Sequence, residues 1–126
     1  MTCANLHIKL SDNVLVQCVW ESSSAPEQGS IVEKLLFPLL DMNDSQRELG
    51  LLMDCCAMFE LRANAEYRYI INLRTKTVHL FEEIYDCVID KYYTGKNLTN
   101  RLLDYMHSTD ALLDIFDELN IKTENQ

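Results

Sequence analysis

Three glycines in 126 residues leave this chain short of the one residue that lets backbone turn sharply or lie flat against a ligand. Average usage would supply about nine. Gly29, Gly50 and Gly95 stand far apart. No Gly-rich phosphate cradle, dinucleotide fingerprint or nucleophile elbow can be assembled from them. The same scarcity points to long regular elements joined by few tight turns.

Apolar residues make up 48% of the chain, enough for one compact domain at this length. Asp and Glu number 20 against 11 Lys and Arg, for a net charge of −9. A field of that sign repels nucleic acid and anionic membrane as a whole. No stretch approaches the ~20 apolar residues that span a bilayer, and Met1–Asn5 lacks the basic start of a secretory signal. The five cysteines, Cys3, Cys18, Cys55, Cys56 and Cys87, contain no C-x-x-C. Free thiols in a reducing compartment, cytoplasm or nucleus, are therefore expected.

Along the chain, Leu6-His7-Ile8-Lys9-Leu10 alternates, Ser11-Asp12-Asn13 supplies turn chemistry, and Val14–Trp20 is β-branched and apolar. A β-hairpin over 5–20 is predicted. Ser24 with Glu27, and Ser45 with Glu48, form capping boxes that open two helices. The first carries Ile31, Val32, Leu35, Leu36 and Leu39 inward, and Pro38 should kink or end it. The second carries Leu49, Leu52, Met53, Cys56 and Phe59.

Two periods compete after Glu60. Residues 60–69 alternate strictly, as a strand does, yet Asn64, Arg68, Asn72, Thr75, His79, Glu82, Asp86 and Asp90 fall on one continuous helical face. The unbroken polar column favours helix through Tyr93, ended by Gly95 as a C-cap. The alternative is a second hairpin over 67–81. Short helices around Leu98–Met106 and Leu112–Leu119 complete the chain, with 120–126 a polar tail. The expected fold is mainly α: about five helices over 26–119 in one domain 1–126, with the N-terminal hairpin. Its alternative is α+β with the hairpin over 67–81. The expected core is Leu35, Leu36, Leu39, Leu52, Phe59, Ile70, Phe81, Ile84, Val88, Leu102, Leu112 and Phe116.

No constellation points strongly to catalysis. His7, His79 and His107 lie far apart and none sits at ligand spacing from a cysteine, so neither a metal nor another cofactor is expected. Cys55 and Cys56 fall in an apolar helical run, where burial suppresses thiolate formation. Two stretches fit a partner surface instead. Arg62, Tyr67, Arg68, Tyr69 and Arg74 interleave arginine with tyrosine, the pairing common at binding hot spots. Leu112, Ile115, Phe116 and Leu119 line an acidic amphipathic segment of the kind that lies in a partner's groove. The expected function is a non-enzymatic protein–protein interaction module: an intracellular adaptor, regulator or small subunit. Its partner would be a protein, acidic in one version, with a homodimer as a further arrangement. Two alternatives remain: a nucleic-acid-associated protein using residues 62–76, and a small thiol-dependent enzyme.

Overall fold

The computed structural model describes residues 2–28 and 30–109. Strands β1 (Ala4–Lys9), β2 (Leu15–Trp20), β3 (Ala57–Met58), β4 (Tyr67–Asn72), β5 (Thr77–Asp86) and β6 (Lys91–Asn97) form one mixed sheet. Their order is β3-β2-β1-β4-β5-β6. β1 and β4 run parallel, and every other pairing is antiparallel. Helix α1 joins a π-helical turn, Val32–Leu36, to the α-helical Phe37–Asp41. Helix α2 is Ser45–Cys55, and a third helix, α3, covers 99–109.

Strand alternation decides what the sheet buries. Ala4, Leu6, Ile8 and Leu10 of β1 and its end pack into the same apolar cluster as Val16, Cys18 and Trp20 of β2. Tyr69, Ile71 and Leu73 join them from β4, and Val78 and Leu80 from β5. Onto this face the helices lay Ile31, Val32, Leu35, Leu36, Leu39, Leu52, Leu102 and Met106. The helices thus cover one side of the sheet.

The strands correct the mainly helical expectation: the fold is α+β, and the described residues do not form a helical domain. The hairpin over 67–81 is what forms, in register from Tyr67 opposite Glu82 to Asn72 opposite Thr77. The period-of-two reading wins because β1 has a second edge to fill. A lone hairpin is marginal in water, and β4 lies along β1 while burying Tyr69 and Ile71 beside Leu6 and Ile8. The continuous polar column that favoured helix is a coincidence of spacing. Arg68, Asn72 and His79 fall on the sheet face away from the helices, and the other members lie in the 59–66 connection, the turns and farther along β5.

Glycine scarcity also misled about turns. The three hairpins are closed by Asn13, Lys76 and Asp90, with φ of 73°, 59° and 51°. Asn and Asp enter this left-handed region at modest cost, whereas lysine has no such local compensation. Phe59, at φ 61°, holds the same conformation directly after β3 while 78% exposed. Gly95 caps no helix. It lies within β6, beside a bulge, where an added Cβ would come 2.8 Å from Ile84 Cδ1.

Neither capping box forms as expected. Asp44 caps α2, accepting a bond from Gln46 N at 2.9 Å. Glu48 is instead wholly buried and accepts from the Ser11 backbone N–H at 2.9 Å and from the Ser11 hydroxyl, tying α2 to the β1–β2 turn. Pro26–Gln28 is a single 3-10 turn, and Glu27 reaches across to Arg101. The helix runs through Pro38. Just before it Phe37 N–H bonds back to Val32 O, a widened turn that eases the ring past the preceding carbonyls. Of the expected core, Leu35, Leu36, Leu39, Leu52 and Leu102 are fully buried. Ile70, Phe81 and Ile84 are half-buried, and Phe59 and Val88 are exposed. Leu112 and Phe116 lie outside the described residues.

Candidate functional site

The second face of the sheet is built from the other half of each alternation. At the Ala4 end it is closed by the connection 59–66, which crosses β2 and β1 to reach β4. The Asn5 side chain clamps this connection twice, accepting from Arg62 N at 2.8 Å and donating to Arg62 O at 3.0 Å. The same amide donates to Glu83 Oε2 at 2.9 Å. Glu83, its side chain fully buried, pairs with Arg68 at 2.8 Å. Cys3, Val19 and Ala65 pack beside this network as a small separate apolar cluster.

Toward the Lys9 end no described residue crosses the face. Strand register sets two rows side by side there. Lys9 pairs with Leu15 on one flank and Asn72 on the other, and Asn72 pairs with Thr77. One step along, His7 lies between Gln17 and Ile70, and Ile70 is followed by His79. These eight positions include no acidic residue, in a chain whose net charge is −9. Leu15 is 76% exposed. His7, Lys9, Leu15, Gln17, Ile70 and Asn72 line a shallow concavity of about 340 Å³.

His7 sits at the closed edge of this concavity. Burial, reinforced by the nearby Arg68 guanidinium and partly opposed by Glu83, holds its imidazole below the ordinary histidine range. Its Nδ1 lies 3.4 Å from Gln17 Nε2. Its Nε2 is shut from solvent with no hydrogen-bond partner among the described residues. The ring is thus held toward its neutral form with Nε2 withdrawn from solvent, and does not favour a second cation beside Lys9.

The residues that the sequence grouped as an arginine–tyrosine patch do not form one surface. Arg62 lies in the crossing connection and pairs with Glu21 at 3.0 Å and Glu60 at 2.8 Å. Tyr67 faces the helices, with the Arg101 guanidinium 5.7 Å from its ring centre. Arg68 points to the opposite face and is held by Glu83. Tyr69 is fully buried and donates its hydroxyl to Ser24 O at 2.5 Å, and burial pushes its phenol above the usual range. Arg74 is exposed in the β4–β5 turn. Successive residues of a strand point apart, so Tyr67, Arg68 and Tyr69 cannot converge. Leu112, Ile115, Phe116 and Leu119 lie outside the described residues.

Thiol chemistry finds little support in the geometry. Burial raises the Cys3 and Cys55 thiols, and contact with Cys18 together with burial raises Cys56. Protonated thiols are weak nucleophiles and poor metal ligands. Among the described residues no three His, Cys, Asp or Glu side chains gather as a metal site.

The face around His7 and Lys9 was missed in the sequence, although half of its signal was present. The alternation of Leu6–Leu10 already placed His7 and Lys9 together, away from the core. Their juxtaposition with Ile70 and Asn72 depends on β4, which was read as helix. Compared against known protein families, curated proteins and solved structures, the chain matches none.

Proposed function

We propose that this chain is a non-enzymatic protein-interaction module that receives an acidic, partly apolar segment of a protein partner on the uncovered face of its sheet. One observation carries the reading. The Lys9 end of the second sheet face, open among the described residues, brings together apolar, neutral polar and cationic side chains without an acid. Leu15 and Ile70 offer apolar contact, Gln17 and Asn72 offer hydrogen bonds, and Lys9 offers the charge. A small apolar centre ringed by such groups is the usual anatomy of a docking surface. Nucleic acid fits less well, because Arg62 and Arg68 are already paired with the chain's own carboxylates.

Site-directed photo-crosslinking in cells of the source organism tests this reading. A photoreactive side chain at position 15 or 79 should capture one discrete protein, and the same group at the exposed Met53 on α2 should capture none. Capture from position 53 with none from 15 or 79 would overturn it.

A further inference from the structure

The β5–β6 hairpin extends past its neighbours. β4 pairs with β5 only as far as Tyr67 opposite Glu82, whereas β5 and β6 continue to Asp86 opposite Lys91. A two-stranded ribbon therefore projects from the sheet, braced by the packed rings of Tyr85 and Tyr92, 4.7 Å apart, and by the Tyr92 hydroxyl against Leu61 O at 3.5 Å. At its tip Val88 is 88% and Ile89 57% exposed. Two adjacent aliphatic residues at the end of an ordered hairpin are a costly exposure unless something receives them. Asp86 and Asp90 flank them, and both turn inward only partly: Asp86 accepts from Val88 N at 2.9 Å and Asp90 accepts from the Tyr85 hydroxyl at 2.5 Å. The tip is thus apolar at its centre, and its margins carry two acids, Asp86 and Asp90, against one base, Lys91.

This is the chemistry that the uncovered face lacks and would take. The concavity beside Leu15 and Ile70 has room for two aliphatic side chains, and Lys9 stands at its rim. Within one chain the two cannot meet. The concavity lies where β4 ends and β5 begins, and the tip lies beyond the far end of β5. The strand between Val78 and Asp86 separates them by more than ~20 Å at about 3.3 Å per residue.

We infer that the occupant is a second copy of this chain: the Val88–Ile89 tip of one copy docks into the concavity bounded by Lys9, Leu15 and Ile70 of another, with Asp86 and Asp90 set toward Lys9. The inference rests on the docking face proposed above and names its occupant. At this face an apolar concavity and a cation, Lys9, stand side by side, so it offers a counterpart to both the aliphatic pair and the carboxylates of the tip.

Analytical ultracentrifugation of the wild type, Val88→Asp and Leu15→Asp, alone and mixed, tests it. All three should fold alike, since both positions are exposed on the single copy. The wild type should self-associate on concentration. Each variant alone should sediment as a monomer, because one has lost its tip and the other its receiving face. Mixing the two should restore association, with a complex of about twice the monomer mass, because the intact tip of one meets the intact face of the other. A wild type that stays monomeric, variants that associate unchanged, or a mixture that stays monomeric would each overturn the inference. In any of those cases, a protein captured from position 15 by photo-crosslinking would leave the docking face standing with a different partner.

Discussion

The two faces of the one sheet receive alternate residues of the same strands and do opposite work. On the covered face Leu6, Ile8, Val16, Cys18, Tyr69, Ile71, Val78 and Leu80 are closely packed and withdrawn from water. On the other face the same strands present His7, Lys9, Gln17, Asn72 and His79, together with one buried ion pair. On the proposed reading, stability and recognition need not compete for residues in this fold, because parity assigns them to opposite faces of each strand. The uncovered face is not uniform, however. At the Ala4 end Asn5, Arg68 and Glu83 hold a crossing chain segment in place, and the Lys9 end is left open among the described residues.

Substitutions should break that division unequally. The largest effect is expected at the structural end of the uncovered face. Arg68→Ala leaves the Glu83 carboxylate buried without its cation, which should cost about 3 kcal/mol in a denaturant titration. A loss well under ~1 kcal/mol would mean that Asn5 alone satisfies Glu83. On the covered face, Tyr69→Phe removes only the hydroxyl bonded to Ser24 O and should cost about 1 kcal/mol. Lys76→Gly should go the other way, stabilising the fold by up to about 1 kcal/mol, since lysine there holds a φ of 59°.

The pH dependence should report His7. The folded protein resists protonating this ring, whereas the unfolded chain takes up a proton near its ordinary value of 6.5. Stability should therefore decline as pH falls below about 6.5, and the decline should stop once pH passes the lowered folded value. Glu27, held below its usual range chiefly by its bond from Arg101, loses its contribution only at more acid pH. His7→Gln should flatten the upper part of the profile while leaving the acid limb. An unchanged profile would place the titration elsewhere. Leu15→Asp should have the smallest effect on stability, within about 0.5 kcal/mol.

Much of the covered face was legible in the sequence, and little of the open one was. The hairpin 5–20 and the inward helix residues Leu35, Leu36, Leu39 and Leu52 follow from local period alone, because each element's apolar stripe is complete within itself. Residues 60–69 alternate as a strand does, while the polar column from Asn64 to Asp90 keeps the helical period. What settles them is a non-local fact, the free edge of β1, which no window of sequence contains. The site inherits that blindness: Lys9 and Asn72 stand in register only through a parallel pairing between residues half the chain apart. Tyr67, Arg68 and Tyr69 looked like a patch because a helix or loop could present them jointly, and a strand cannot. The turns were misjudged for a different reason. Glycine is the cheapest residue at positive φ but not the only one, and Asn13, Lys76 and Asp90 take its place.

The central claim is that the Lys9 end of the uncovered face carries binding without carrying stability. It is tested most directly by one double variant, Lys9→Glu with Leu15→Asp, followed by thermal unfolding and by photo-crosslinking from position 79 on the same preparation. The account predicts an unfolding midpoint close to that of the wild type and loss of the captured partner. Capture that persists, or a midpoint that falls in step with the loss of capture, would contradict it.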